Sequence, residues 1–331
     1  MEFYVLGGIK LSQLVKERAI VDRIVENVSS VIIGKEKEIY NILKAVLAGG
    51  HVLIDDVPGV GKTTLVKALS KSLDLSYRRI QFTPDLLPSD IIGISVFNQK
   101  EMTFEFKKGP IFSNIVLADE INRTSPKTQA ALLEVMEENQ ISDGNDTYKF
   151  KAPFIVLATE NPIEYQGTFP LPEAQLDRFM IKVKIGYPSK EAEEIILSVY
   201  RERVPLDDIK AVASIDEILM LQNEAKKVNI SKDITKFIVE IAENTRNSKY
   251  ISLGVSTRGV LALQRICQAT ALIRGRNYVI PDDVKENLTM VLSHRILLSP
   301  LGVSNRYSRE SIIEAISQRI DPPRVKLNEW N

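Results

Sequence analysis

Residues 52–63 constrain this 331-residue chain more than any other stretch. An apolar run, Val52–Ile54, ends in Asp55-Asp56 and passes straight into Val57-Pro58-Gly59-Val60-Gly61-Lys62-Thr63. From Asp56 onward this is the pattern G-x-x-x-x-G-K-S/T, with Asp56 where the first glycine stands. In that pattern the glycines let consecutive N–H groups close around a phosphate at a helix N-terminus. The lysine reaches the outer phosphate oxygens, and the Thr63 hydroxyl helps hold Mg²⁺. The pattern needs a strand before it and a helix after it, and the helical stretch Thr63–Ser72 supplies the second.

Further short apolar runs, Ile115–Ala118, Phe154–Ala158, Met180–Lys184 and a weaker Tyr77–Phe82, alternate with helix-period segments as far as Gly186-Tyr187-Pro188. That rhythm is an α/β parallel sheet, in which ligands bind beyond the carboxyl ends of the strands. Asp119-Glu120 lies at such an end. The first carboxylate suits Mg²⁺ and its water shell; the second suits polarising a water for attack on a γ-phosphate. Thr159-Glu160-Asn161-Pro162 lies at another, where the Asn161 amide could bridge that water and the phosphate, although Asn-Pro is also a routine turn start. Arg178, just before the last strand, is either a cation for phosphoryl transfer or a local partner of Asp177 or Glu173. Arg258 opens a helix at Ser256-Thr257-Arg258-Gly259, where the helix dipole disfavours a cation. If the helical domain folds over the nucleotide, Arg258 meets the γ-phosphate; otherwise it is an exposed arginine beside Glu243 or another acid.

Beyond residue 188 the pattern is helical only, with candidates at 189–202, 214–227, 231–246, 257–273, 281–294 and 308–318. The organisation expected is an N-terminal helical segment (1–30), a nucleotide-binding αβα domain (31–187), a small all-α domain (188–318) and a tail (319–331). Two hairpins interrupt the rhythm: Ile94–Phe97 with Met102–Phe106, and Ile141-Ser142 with Thr147–Phe150 across Asp143-Gly144-Asn145. Charge argues against a dedicated nucleic-acid binder, since 43 Lys+Arg balance 43 Asp+Glu. One cysteine, Cys267, and two distant histidines, His51 and His294, leave no disulfide and no zinc spacing. Cys267 lies among apolar helix positions and reads as core. No run approaches the roughly 18 apolar residues of a membrane span, and Phe3–Leu6 lacks the features of a secretory signal, so the expectation is a cytoplasmic protein.

With these residues in view, the chain resembles the MoxR-type AAA+ ATPases over nearly its whole length. Beyond the phosphate loop, the resemblance is carried by Arg79 to Asp90, Gly109-Pro110-Ile111-Phe112, Asp119-Glu120-Ile121-Asn122-Arg123, Thr128 to Glu134 and Glu173 to Phe179. Acidic residues at the Asp56 position are familiar in that family. The resemblance implies a five-stranded αβα nucleotide domain with a helical lid, ATP and Mg²⁺ as cofactors, and a ring, usually a hexamer. It implies Walker A at 56–63, with Pro58, Gly59, Val60, Gly61, Lys62, Thr63 and Thr64 about the phosphates, and Asp119 and Thr63 on the metal. It further implies sensor 1 at Asn161, an arginine finger at Arg178, sensor 2 at Arg258, and Ile32-Ile33-Gly34 along the adenine. By resemblance, the hairpins at 94–106 and 141–150 face a ring's pore, and the partner is a protein to be remodelled, often one bearing a von Willebrand factor A domain. A nucleic-acid translocase, a nucleotide-dependent scaffold and a chelatase-type motor subunit are the alternative readings.

Overall fold

The computed structural model describes residues 5–6, 9–144, 146–161 and 167–324. Asn145, Pro162 and the tail beyond Arg324 lie outside them, as do Phe3 and Tyr4. A short antiparallel ribbon, Val5–Leu6 with Ile9–Lys10, leads into two helices, α1 (Leu11–Ser29) and α2 (Glu36–Leu47). Strand β1 (Val52–Asp55) leads through the glycine loop into α3 (Lys62–Ser72), and β2 (Tyr77–Gln81) follows. The first hairpin is β3 (Gly93–Asn98) with β4 (Thr103–Lys108). Next come β5 (Ile115–Asp119), α4 (Pro126–Glu138) and the second hairpin, β6 (Gln140–Asp143) with β7 (Asp146–Lys149). Strands β8 (Ile155–Glu160) and β9 (Ile181–Val183) complete the sheet.

Its five strands lie in the order β9-β1-β8-β5-β2, every neighbouring pair parallel. A parallel sheet is covered on both faces, which is why β1, β5 and β8 read as unbroken apolar runs. Successive side chains on each strand enter different cores. Val52, Ile54, Ile115, Leu117, Ile155, Leu157, Ile181 and Val183 face one, with α1, α2 and α3. Leu53, Val116, Ala118, Val156 and Ala158 face the other, with Leu132, Leu133 and Met136 of α4. Phe82 and Phe179 are the bulkiest wholly buried side chains of that second core, and truncating either to alanine should cost about 3–5 kcal/mol.

The helical part comprises α5 (Lys190–Glu202), α6 (Ile215–Lys227), α7 (Lys232–Arg246), α8 (Thr257–Ile273), α9 (Pro281–Leu292) and α10 (Arg309–Arg319). Five of them start from a serine whose hydroxyl accepts the N–H three residues on: Ser189, Ser214, Ser231, Ser256 and Ser308. A small antiparallel ribbon, Ile251–Leu253 with Leu297–Leu298, joins the helices. Helix α9 stops at Leu292 and a 3-10 turn, Ser293–Arg295, takes over. Helices α6 to α10 share one continuous apolar core with α1, α2 and the sheet. Helix α5 differs: of its side chains only Ala192 is buried, and Ile195, Leu197 and Tyr200 are exposed.

Candidate nucleotide site and arginine face

The loop after β1 takes its shape from two left-handed glycines, Gly59 (φ 87°) and Gly61 (φ 84°). A Cβ at either would meet nothing within 4 Å, so backbone conformation rather than crowding selects glycine there. Gly61 precedes α3, so Lys62, Thr63 and Thr64 form that helix's first turn while Pro58 and Val60 sit in the loop. Lys62 Nζ donates to the Asp56 carbonyl at 2.7 Å. Burial pulls its pKa down, and the nearby Asp119, Asp56, Glu120 and Asp55 oppose that. Lys62 is thus parked beside the N-terminus of α3, an end with unpaired N–H groups.

Strand pairing brings the acids to the same edge. Gln81 pairs with Asp119 in the sheet register, and Ala158 with Ala118. Asp119 Oδ1 therefore accepts from Thr159 Oγ1 at 2.7 Å, and Oδ2 from Arg79 Nε and Nη2 at 2.9 and 2.6 Å. Glu120 adopts the left-handed conformation (φ 59°), uncommon for a side chain of its kind and held here by its N–H donating to Thr159 Oγ1 at 2.8 Å. Its Oε2 accepts from Gln81 Nε2 at 2.8 Å and Arg123 Nη1 at 3.2 Å. Asn161, 3 % exposed, directly follows β8 between the glycine loop and these acids, and its carbonyl accepts from Asn122 Nδ2 at 3.4 Å. Next to it, burial raises the pKa of Glu160, with Lys182 opposing and Asp55 adding to the rise. Thr63 and Asp119 supply the hard oxygen donors that Mg²⁺ takes alongside water, so the residues fit that ion. Ile32 and Ile33, both half-buried, immediately precede α2. Lys35 ties that segment to the same edge through the carbonyls of Ile185 and Tyr187 at 2.6 and 2.8 Å.

The two arginines stand elsewhere. Arg178 precedes β9, and the neighbouring Met180 N–H donates to the His51 carbonyl just ahead of β1, at the amino edge of the sheet. Arg178 Nη2 pairs with Glu137 Oε2 at 3.1 Å, and Arg258 Nη2 pairs with the other oxygen of the same carboxylate. Neither Asp177, Glu173 nor Glu243 is the partner. Asp177 instead accepts from Ser256 Oγ and Arg295 Nε, each at 2.8 Å, which pins the start of α8 to the sheet domain. Arg295 is buried, and burial lowers its pKa to about 10 against the opposing pull of Asp177. A cavity of about 410 Å³ on this face is lined by Arg178, Arg258, Arg265 and Arg295 with Glu137 and Asp177.

Arg258 thus lies against Glu137 on this face and not beside the chain's own glycine loop. The four residues of β1 separate the glycine loop from the arginine face, about 13 Å of strand at about 3.3 Å per residue, and the Ser256–Asp177 hydrogen bond holds the start of α8 on that face. The sequence assigns no individual role to Arg79, Gln81, Arg123, Thr159 or Glu137, which the structure places in these contacts. Of these, Gln81 carried a usable signal: an amide at the end of the strand next to the acidic pair.

Comparison with known proteins agrees with this geometry. Residues 51–181 match the family described as "ATPase family associated with various cellular activities (AAA)", and residues 243–316 match the AAA lid domain. The chain is 47% identical over 304 residues to the uncharacterized protein YeaC of Bacillus subtilis, covering 92% of this chain and 95% of that one. It is 38% identical over 314 residues to Chaperone MoxR1 of Mycobacterium tuberculosis, covering 92% and 83% respectively. The crystal structure of an ATPase candidate from Cytophaga hutchinsonii superposes with a TM-score of 0.87 at 40% identity, covering 95% of this chain and 98% of that one. An acid-flanked glycine loop, an arginine face on the opposite edge and relatives matching over 92% of the chain agree: the chain belongs to the MoxR-type AAA+ ATPases.

Proposed function

We propose that the chain is a Mg²⁺-dependent ATP hydrolase that works as a cytoplasmic ring, hexameric by resemblance, and remodels or activates a protein partner. The observation that carries the reading is the division of one reaction's parts between two sheet edges. The glycine loop, Asp119, Glu120 and Asn161 share one edge; Arg178 and Arg258 share the other. A closed ring sets one edge of each subunit against the other edge of its neighbour, so both halves meet only between copies.

In this reading Lys62 leaves the Asp56 carbonyl for the β- and γ-phosphate oxygens, and Thr63 and Asp119 would hold Mg²⁺, which would supply neutralisation of the phosphate charge. Glu120 is the general base, taking a proton from the attacking water once Gln81 and Arg123 yield its Oε2. Asn161 orients that water, and Arg178 and Arg258 of the neighbour stabilise charge on the transferring group. The protein named Chaperone MoxR1 supports a protein partner, and one with a von Willebrand factor A domain is the kind the resemblance points to. Among the described residues no helix is long and apolar enough to cross a membrane.

Lys62→Ala and Glu120→Gln test the chemistry because their effects must differ. Lys62→Ala should lose ATP affinity in an equilibrium titration. Glu120→Gln should bind ATP with Mg²⁺ and hydrolyse it about 10²–10⁴ times more slowly. Equal affinities of wild type and Lys62→Ala would overturn the phosphate-loop assignment.

A further inference from the structure

Asp56, where the loop pattern has glycine, is 7 % exposed and uses both carboxylate oxygens. Oδ1 accepts from Val57 N at 2.9 Å, and Oδ2 accepts from Ile185 N and Gly186 N at 2.6 and 2.5 Å. Three N–H donors converging on two acceptor oxygens suit a carboxylate. An asparagine would turn its own NH₂ toward one of them. From the other side, Lys35 Nζ donates to the carbonyls of Ile185 and Tyr187. The peptide leaving β9, which turns at left-handed Gly186 (φ 67°), is therefore gripped through its N–H groups by an acid and through its carbonyls by a base. Gly34, beside Lys35, lies so near α5 that a Cβ there would come within 2.9 Å of the Ala192 Cβ.

These contacts assemble three segments into a wall adjoining the phosphate loop: 32–35, 185–187 and the first residue of the loop itself. The wall carries the half-buried Ile32 and Ile33 and the exposed ring of Tyr187, the apolar groups a planar base can lie against. Electrostatics alone disfavours a carboxylate so close to where phosphates go. What Asp56 holds in place accounts for its presence.

We propose that Asp56 and Lys35 are positioning residues for the nucleoside: by fixing the 185–187 peptide against the phosphate loop, they set how much of the nucleotide's affinity comes from base and ribose rather than from phosphate. The inference rests on the nucleotide reading above and deepens it.

The test titrates full-length wild type, Asp56→Gly, Asp56→Asn and Lys35→Met calorimetrically with ATP and with inorganic tripolyphosphate, Mg²⁺ present throughout. Asp56→Gly gives the loop its ordinary pattern. Each single variant should bind ATP about tenfold more weakly, with tripolyphosphate affinity held within about threefold. The charge changes are opposite. Removing the acid should by itself tighten phosphate binding, and removing the lysine should loosen it, so weaker ATP binding in both reports lost positioning. The Asp56→Asn, Lys35→Met double variant should weaken ATP by less than the product of the singles, because both act through one peptide. In the Asp56 variants the amides of Ile185 and Gly186 should exchange hydrogen faster. Equal weakening of both ligands, no weakening of ATP, or shifts of opposite sign in the acid and base variants would overturn the proposal. Should the Asp56 variants fail to fold, Lys35→Met with the two ligands decides. Wild type that binds neither ligand would instead remove the nucleotide reading itself, and this inference with it.

Discussion

If Arg178 and Arg258 share a face remote from their own phosphate loop, inactive variants should fall into two complementation groups. Arg178→Ala, Arg258→Ala and Glu120→Gln should each be nearly silent alone, since an arginine at the transferring phosphoryl is worth about 10³–10⁵ in rate. Consider a ring assembled at random from equal amounts of Arg178→Ala and Glu120→Gln. A site is complete where an Arg178→Ala subunit, with its own Glu120 intact, meets the arginine face of a Glu120→Gln subunit. Two independent one-in-two choices put about one quarter of the sites in that class, so about a quarter of wild-type turnover should return. Arg258→Ala mixed with Glu120→Gln should recover the same fraction. Arg178→Ala mixed with Arg258→Ala should recover nothing, because both guanidinium groups sit on Glu137 of one subunit and every face in the mixture lacks one of them. Steady-state phosphate release is the assay, with energy transfer between labelled variants as proof of subunit exchange. Recovery in the double-arginine mixture would refute the placement of Arg258 on that face, and exchange without recovery in either glutamate mixture would refute the shared site.

Two further outcomes follow from buried groups. His51 accepts from Val156 N at Nδ1 and donates from Nε2 to the Met136 carbonyl, and burial lowers its pKa to about 4. The unfolded chain, with a histidine pKa near 6.5, binds that proton first. Stability is therefore intact above about pH 6.5 and falls by about 1.4 kcal/mol per unit as pH drops toward about 4. His51→Gln should lower the pH slope of the urea-unfolding free energy by about one proton across that window, and an unchanged slope would contradict it. Cys267 is buried, donates to the Asp283 carbonyl at 3.4 Å, and has its pKa pushed up by burial with Asp283 adding to it. Its modification by a chromogenic disulfide should proceed at the unfolding rate, whereas fast labelling of the folded chain would show the thiol to be reachable.

What was legible in the sequence was local. The glycine loop, Asp119-Glu120 and the buried strands announce themselves because each is a contiguous pattern dictated by one backbone geometry. Tyr77–Gln81 is the faintest strand because it lies at the edge of the sheet, where the partly solvent-exposed Arg78 and Arg79 interrupt the apolar run. The ribbon of Ile251–Leu253 and Leu297–Leu298 is too short to show a period. Met102 read as the start of a strand, but its left-handed backbone (φ 53°) places it in the turn, with Thr103 opening β4. Partnerships across long separations left no trace at all. Glu137 meets Arg258 from 121 positions away, and nothing near either residue names the other. The same holds for Asp56, whose departure from the pattern was visible while its acceptance from Ile185 and Gly186 was not. The period of α5 predicted a helix correctly, yet its apolar side chains stay largely exposed, because periodicity reports a stripe and not what covers it.

The apolar core that runs unbroken from α1 and α2 into α6 to α10 makes the chain a stiff lever rather than a jointed arm. At its heart the nearly buried Lys44 reaches Glu286 at 2.8 Å and Asn287 at 3.1 Å across the seam, and Gln222 donates to the Val46 carbonyl at 2.7 Å. Swinging the helices away would wet that core and strand those polar groups. In the ring proposed above, a stroke is then delivered by whole copies rocking against one another rather than by the helices swinging on the sheet.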